Sequence, residues 1–87
     1  MTAAEIRAKV LEALIELAPE TDPLAVDPDR PLRDQLDLDS YDYLQLMVRL
    51  HEKLDVEIPE RDYVDIRTLA ELVRYLEVRV ASPGSPG

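Results

Sequence analysis

The chain has no cysteine, no phenylalanine and no tryptophan, and both of its glycines lie in the last four residues. The absence of cysteine excludes disulfides, thiolate metal sites and a cysteine nucleophile, and it fits a reducing compartment. Because tyrosine is the only aromatic residue, the core must be built from aliphatic side chains. No apolar run approaches the roughly 20 residues that cross a bilayer, and acidic residues interrupt the N-terminal segment, unlike a signal peptide. The composition therefore predicts a soluble cytoplasmic protein.

Positive charge is also scarce, because 10 Lys and Arg residues are outnumbered by 19 Asp and Glu residues, for a formal net charge of −9. Such a surface repels nucleic acid and anionic membranes and attracts basic protein surfaces. The acids are concentrated between Glu20 and Asp42, where eight of them accompany only Arg30 and Arg33. This stretch is either a solvated loop or a docking face for a basic partner, and the charge pattern leaves both open.

The apolar pattern predicts one small helical domain. A chain of 87 residues has the length of a single domain, and apolar residues recur at helical spacing in three segments. The expected elements are helices at about 3–18, from Asp39 or Ser40 to Leu54–Asp55 and at about 69–80, with one or two helical turns at 60–65. The predicted fold is all-α, a small four-helix bundle of three main helices plus one short helix. This domain covers residues 1–81, and 82–87 form a disordered C-terminal tail.

Local signals refine this layout. Thr2 with Glu5, and Thr68 with Glu71, have the spacing of capping boxes at the starts of the first and last helices. The apolar stripe of the middle helix is expected to comprise Tyr41, Leu44, Met47, Val48 and Leu54, with Leu50 at its edge.

A long loop is expected after the first helix, because residues 19–38 contain four prolines and are too rich in helix breakers for a regular helix. Loops of this length are uncommon in compact domains unless they have a role. Four spaced apolar residues are expected to hold the loop against the core: Leu24, Val26, Leu32 and Leu36.

Catalysis by this chain alone has little support in the sequence. The single histidine, His51, follows Ser40 by eleven residues, which is about three helical turns or roughly 16 Å along the axis, so the two side chains cannot meet on one helix. The acidic run that begins at Asp27 has leucine at both positions where an EF-hand loop requires glycine and glutamate. No metal site and no catalytic residue is predicted.

Serine occurs at three positions, and only Ser40 lies outside the terminal segment SPGSPG. Ser40 lies where the loop becomes a helix, so its hydroxyl could cap the helix or remain exposed as a modification site. A phosphate group attached there would be favoured by the dipole and free N–H groups of the helix N-terminus. The local physics leaves both interpretations open, with the cap the simpler one.

The segment from Leu36 to Leu76 resembles the carrier proteins that bear a 4′-phosphopantetheine arm, and acyl carrier proteins above all. Asp39-Ser40 matches the start of the family's Asp-Ser-Leu motif, Glu57-Ile58-Pro59 matches its Glu-Ile-Pro segment, and Arg67-Thr68-Leu69 lies where the last helix should begin. The first helix and the long loop fit the family layout too, so the resemblance extends over about residues 3–80.

Several positions depart from the family pattern. Tyr41 follows the serine where the family usually has Leu or Met, and Asp37 lies where Gly is common. Gln45 and His51 occupy positions where bacterial fatty-acid carriers usually have Glu, and Arg49 and Lys53 add positive charge. The acceptor hydroxyl is intact. The departures favour a stand-alone carrier of a specialised lipid or secondary-metabolite pathway over housekeeping fatty acid biosynthesis.

The resemblance implies a carrier that is not an enzyme. A phosphopantetheinyl transferase would attach the arm to Ser40, and its thiol would carry an acyl group as a thioester. The other partners would be acyl- or aminoacyl-activating and acyl-processing enzymes with basic docking surfaces. The carrier would be a monomer that neither binds nucleic acid nor inserts into membranes. The residues expected to recognise partners are Asp39, Tyr41, Asp42, Leu44 and Val48. The residues expected to shelter an acyl chain are Ile58, Ile66 and Leu72.

Other functions stay open at this level. The chain could be a stand-alone peptidyl or aminoacyl carrier, or a cofactor-free adaptor that binds a partner through its acidic face. A small metal-independent hydrolase is a weaker option, because Ser40 and His51 are too far apart. The apolar residues named above would be core residues in each case.

Overall fold

The computed structural model describes residues 1–81, and most of these residues are helical. The α-helices are α1 (Ala3–Leu17), α2 (Leu32–Leu36), α3 (Ser40–Leu54) and α4 (Leu69–Ala81), and 3₁₀ turns occur at Pro23–Ala25 and Glu60–Asp65. The described range contains no β-strand. The prediction of an all-α bundle is confirmed, and the predicted tail at 82–87 lies outside the described residues. None of the helices within 1–81 combines the length and the apolar character needed to cross a bilayer.

The two predicted capping boxes are present at the starts of α1 and α4. The backbone N–H of Glu5 donates to Thr2 Oγ1 at 3.2 Å, and Thr2 N–H donates to Glu5 Oε1 at 2.8 Å. Thr68 and Glu71 exchange the same pair of bonds, both at 3.1 Å. Each box satisfies two of the backbone donors that a helix start leaves unpaired, so helix starts can be located from local sequence.

The core is aliphatic, as the composition predicts. Helix α1 packs against α3 and α4, and burial of each Leu, Ile or Val side chain contributes about 1.5–3 kcal/mol. The residues that the three long helices bury most completely are Ile6, Val10, Ala13, Leu14, Leu46, Met47, Leu50, Leu69, Leu72 and Leu76. No polar or charged residue of the described range is buried with them.

Helix α3 faces the core with a different stripe from the one the sequence predicts. Its buried residues are Tyr43, Leu46, Met47 and Leu50. Tyr41 is 67% exposed and Val48 is 42% exposed, so the predicted stripe is wrong at both positions, and Leu50 is central instead of peripheral. The helix carries two apolar stripes at helical spacing, and only the packing against neighbouring helices decides which of them is buried.

The loop after α1 contains a short helix that the sequence pattern does not predict. Helix α2 begins directly after Pro31, and proline is compatible with a helix start because the first N–H groups of a helix have no intrahelical acceptor. The many prolines correctly predict that this segment contains no long helix. They do not exclude a short helix that begins directly after a proline. Two hydrogen bonds tie this loop to the start of α4, from Leu32 N to Arg67 O at 2.9 Å and from Ala70 N to Pro28 O at 3.0 Å.

Most of the expected apolar anchors hold this loop in place. Val26 and Leu32 are buried, and Leu36 is partly buried against the core. The prediction is wrong for Leu24, which is 95% exposed. Its 3₁₀ turn lies on the surface, so its apolar side chain is not an anchor.

Asp37 adopts a left-handed backbone conformation, with φ of 52° at the end of α2. This conformation brings Cβ close to the backbone, so glycine adopts it most readily and Asp or Asn follow. A glycine, which the resemblance leads us to expect at this position, would adopt this conformation most easily, and aspartate is among the few other residue types that can.

Ion pairs on the surface link α1 to α3, and they make stability depend on pH. Lys53 Nζ lies 2.9 Å from Glu12 Oε1 and 2.8 Å from Glu16 Oε2. The hydrogen bond from Lys53 lowers the pKa of both carboxyls below the usual 4.5. A lowered carboxyl pKa stabilises the fold above the unfolded-state pKa, and this contribution is lost as pH falls through the folded-state pKa.

We therefore expect the free energy of unfolding to decrease as the pH falls below about 4.5, and to decrease less in Lys53→Met. Urea denaturation at neutral and acidic pH measures this difference. Arg74→Met removes an exposed cation from α4 and should keep the full pH dependence. Equal pH dependence in Lys53→Met and the unmodified protein would contradict the assignment.

Candidate functional site

Ser40 is the first residue of α3 and is exposed, but it does not cap the helix. Asp39 is the cap, because its Oδ1 accepts from Asp42 N–H at 2.8 Å while Asp42 Oδ2 accepts from Asp39 N–H at 3.3 Å. This reciprocal pair is a capping box made by two acids. The capping interpretation of Ser40 is therefore wrong. Its hydroxyl lies at a firmly held helix start and has no part in the cap.

Arg33 on α2 makes a side-chain hydrogen bond to the Ser40 hydroxyl. Its Nη2 donates to Ser40 Oγ at 3.4 Å, and its Nε donates to Leu38 O at 3.4 Å. Both bonds are long and therefore weak, so the hydroxyl remains available. A guanidinium at this place is suited to pair with a phosphate group attached to that oxygen, because its donors match phosphate oxygens. In the sequence, Arg33 is distinguished only as one of two basic residues in an acidic stretch.

An open cleft of about 720 Å³ adjoins Ser40. We call it the Ser40 cleft. The residues that line it include Arg33, Ser40, Tyr43, Tyr63, Val64 and Arg67. They come from α2, α3, the second 3₁₀ turn and the residue pair before α4. The hydrogen bonds between the loop and the start of α4 bring Arg33 and Arg67 to the same cleft. None of these residues except Ser40 was predicted as a site residue.

Two tyrosines form one wall of the Ser40 cleft. The rings of Tyr43 and Tyr63 meet edge to face, with centroids 6.1 Å apart and an interplanar angle of 78°. Tyr43 is only 6% exposed, and its hydroxyl has no hydrogen-bond partner. Burial raises the pKa of Tyr43 to about 12, so near neutral pH the group is an uncharged phenol that can donate a hydrogen bond. The chain has only four aromatic residues, and this scarcity was the only feature of the sequence that could have drawn attention to Tyr43 and Tyr63.

The five residues predicted to recognise partners lie on α3 or at its cap. Tyr41 and Val48 are exposed, and Leu44 is half-buried. Tyr41, Leu44 and Val48 follow at helical spacing and form a stripe about 10 Å long on the side of α3 away from the core. Asp39 and Asp42 lie at the start of this stripe, with their carboxylates in the capping box. The arrangement places an apolar stripe with an acidic end beside Ser40.

The three residues predicted to shelter an acyl chain belong to the core. Ile58, Ile66 and Leu72 are 9%, 1% and 0% exposed, respectively. They do not line the Ser40 cleft. Their role with an acyl chain stays a prediction, and it would require a change in core packing.

His51 has a structural contact far along α3 from Ser40. Its Nδ1 lies 2.6 Å from Val56 O, just beyond the end of the helix. Among residues 1–81, no group of three or more histidine and acidic side chains is arranged to hold a metal ion.

Comparison with known proteins links this geometry to a family. A family profile described as a phosphopantetheine attachment site matches residues 8–76. The meromycolate extension acyl carrier protein of Mycobacterium tuberculosis is 31% identical over 77 residues, which are 88% of this chain and 66% of that protein. This chain thus spans slightly less than two thirds of that relative's length. The acyl carrier protein of Kineococcus radiotolerans is 32% identical over 71 residues, or 78% of this chain and 88% of the relative.

A solved structure is similar over nearly the same range. It is a solution structure of a protein from Anaplasma phagocytophilum assigned as an acyl carrier protein, with a TM-score of 0.76 and 28% sequence identity. The match covers 87% of this chain and 89% of that one.

Proposed function

The chain belongs to the acyl carrier proteins, which have a phosphopantetheine attachment site, and on that premise we propose that it carries acyl groups as thioesters on a 4′-phosphopantetheine arm attached to Ser40. The position of its hydroxyl supports Ser40 as the attachment residue. The Ser40 hydroxyl is exposed on a held helix start, while the neighbouring Asp39 makes the cap. When bound, the arm supplies a terminal thiol, which this cysteine-free chain lacks.

Attachment is a phosphoryl transfer in which this chain is the substrate. Ser40 Oγ forms a bond to the phosphorus of the phosphopantetheine group of coenzyme A, and the P–O bond within the diphosphate breaks. Adenosine 3′,5′-bisphosphate leaves, and the hydroxyl proton passes to a base of the phosphopantetheinyl transferase, which also holds the magnesium ion. The carrier contributes the acceptor oxygen and the surface on which the transferase docks, so it is not itself a catalyst.

The residues around Ser40 suit a phosphodiester. Arg33 approaches the hydroxyl to 3.4 Å and would pair with the attached negative charge. The N-terminus of α3 favours an anion by about 0.3–1 kcal/mol, an effect that salt screens. Asp39 and Asp42 oppose the anion, but the capping bonds direct their carboxylates toward backbone N–H groups. The site therefore fits the group.

We propose that partner enzymes bind the exposed stripe of Tyr41, Leu44 and Val48 together with Asp39 and Asp42. An apolar centre with charges at its edge is the usual composition of a transient interface. Arg49 and Lys53 on the same helix pair with glutamates of α1, so they do not oppose a basic partner. The acids beside Ser40 would speed association with such a partner.

We propose a stand-alone cytoplasmic carrier for a specialised lipid or secondary-metabolite pathway. The substitutions at Tyr41, Gln45 and His51 support a partner set different from that of general fatty-acid synthesis. A relative whose name refers to meromycolate extension is an acyl carrier of a specialised lipid. The partner enzymes of such a carrier would be acyl- or aminoacyl-activating enzymes and a phosphopantetheinyl transferase.

The carrier function is tested by incubation with coenzyme A, magnesium and a permissive phosphopantetheinyl transferase, followed by intact mass measurement. The expected result is a mass gain of one phosphopantetheine group. No gain with a transferase that loads a control carrier would contradict the proposal and favour the cofactor-free adaptor.

The role of Asp39 in docking can be separated from its role as the cap. Asp39→Asn keeps an oxygen that accepts the N–H bond and removes the charge. We expect a loss of stability of no more than about 1 kcal/mol, from the lost interaction with the helix dipole, and slower loading by the transferase, with the difference in loading reduced at high salt. The matched variant Asp55→Asn removes an exposed charge at the other end of α3 and should load at the normal rate. Equal loading rates for both variants would contradict a docking role.

A further inference from the structure

We propose that the Ser40 cleft binds the attached phosphopantetheine arm, with Arg33 and Arg67 attracting its phosphodiester and Tyr43 donating a hydrogen bond to an amide carbonyl of its pantetheine part. This inference rests on the proposed function, because it requires the arm on Ser40. It adds a binding site for the arm on the carrier itself, made by side chains that are not attachment or docking residues.

The unpaired hydroxyl of Tyr43 is the first observation. The residue is only 6% exposed, yet its hydroxyl has no hydrogen-bond partner in the protein. Buried polar groups in folded proteins are almost always hydrogen-bonded to protein or to ordered water, and no protein group of the described residues fills this role for Tyr43. Tyr43 lines the cleft that adjoins Ser40, but its hydroxyl is itself covered, so a group attached to Ser40 can supply that partner once the side chain turns toward the cleft. As an uncharged phenol, Tyr43 can donate to a carbonyl oxygen.

The shape and lining of the cleft are the second observation. Its volume of about 720 Å³ lies within the range of roughly 300–1,000 Å³ typical of small-molecule sites. Tyr63 and the 71% exposed Val64 form an apolar surface next to the polar groups. The pantetheine part of the arm alternates apolar segments with amides, so it matches a wall that combines rings, an aliphatic side chain and a phenol.

The local charge is the third observation. Two arginines, Arg33 and Arg67, line the cleft together with one acid, Asp34. The lining is thus positive by one charge, in a chain whose net charge is −9. Arg33 already contacts the oxygen that would become part of the phosphodiester. A site with this charge attracts a monoanion even though the whole protein is acidic.

Among the core residues, only Tyr43 would have to move when the arm binds in the cleft. Ile58, Ile66 and Leu72 lie in the core and outside the cleft, so the arm can be held on the surface without entering the packing around them. Partner enzymes would then have to draw the arm out of the cleft, and the stripe on α3 remains free for docking during that step.

The test uses holo protein whose arm is labelled with ¹³C and ¹⁵N. In the unmodified holo protein we expect nuclear Overhauser contacts between the arm's methyl or methylene protons and the ring of Tyr63, and restricted motion of the arm amides in ¹⁵N relaxation. In Tyr43→Phe the contacts should be lost or greatly weakened and the amides should become as mobile as in free pantetheine. In Arg67→Gln the ³¹P resonance of the phosphodiester should shift.

Tyr41→Phe is the matched control, because it removes the hydroxyl of a tyrosine next to Ser40 that does not line the cleft. Its arm should keep the contacts and the restricted motion. Tyr43→Phe keeps the ring and removes only an unpaired buried hydroxyl, so the apo variant should be at least as stable as the unmodified protein.

Intact mass separates the possible failures. If no arm attaches to the unmodified protein, the proposed function and this inference are both overturned. If the arm attaches but shows no contact with the cleft, or is equally mobile in the unmodified protein and Tyr43→Phe, only this inference is overturned and Ser40 stands as the attachment site. Contacts that disappear in Tyr43→Phe and persist in Tyr41→Phe support it.

Discussion

Ser40→Ala is expected to abolish phosphopantetheine loading completely, with no mass gain after incubation with coenzyme A and the transferase. The variant removes the acceptor oxygen and nothing that holds the fold, because Asp39 and not Ser40 caps α3. Alanine also has a higher helix propensity than serine. We therefore expect a change in the free energy of unfolding within about 0.5 kcal/mol, as for an ordinary surface substitution.

The chain offers a matched control for this variant. Ser82 and Ser85 are the only other serines, and the double variant Ser82→Ala/Ser85→Ala should gain one phosphopantetheine like the unmodified protein. Loading of Ser40→Ala would refute the site assignment and leave the carrier family unaffected. Thermal unfolding of Ser40→Ala distinguishes two causes for the absence of a mass gain, the missing acceptor oxygen, which we expect, and loss of the folded structure.

Leu72→Ala is expected to reduce the free energy of unfolding by about 2–5 kcal/mol, the range for a truncated buried leucine. Leu72 lies on α4 and is fully buried in the core between the long helices. The loss is large for a domain of this size, because total stabilities are commonly about 5–15 kcal/mol. Equilibrium urea denaturation monitored by circular dichroism measures it. Val78→Ala, on the same helix but 64% exposed, should change the stability by less than about 0.5 kcal/mol.

The same variant tests whether an acyl chain shelters beside Leu72. Truncation leaves an apolar cavity in the core cluster that also contains Ile58 and Ile66, and a ligand that binds only the folded state stabilises it. If the predicted chain-binding role is right, loading with a medium-length saturated acyl group should raise the melting temperature of Leu72→Ala more than that of Val78→Ala. An equal change in both variants would contradict the role of these core residues.

Much of the fold could be predicted, and a candidate attachment residue proposed, because their signals are local. The capping boxes at Thr2 and Thr68 act over three residues, so the helix starts they predict are correct. The third cap is the exception, because Asp39 and Ser40 are both good cap residues. The motif around Ser40 was recognisable in the same way, since the order and spacing of Asp-Ser, Glu-Ile-Pro and the last helix start do not depend on packing.

The orientation of α3 and the Ser40 cleft were decided by the tertiary structure. Tyr41 and Tyr43 are two positions apart on one helix, and their sequence context does not show that the first is exposed and the second buried. Packing of α3 against its neighbours makes that choice, because only one of the two apolar stripes can face the core. Arg33 and Arg67 are far apart in sequence and line one cleft because backbone hydrogen bonds join the loop to the start of α4. The sequence by itself determined where the three long helices lie and which serine is the candidate for attachment of the arm, whereas long-range packing determined which side chains surround that serine.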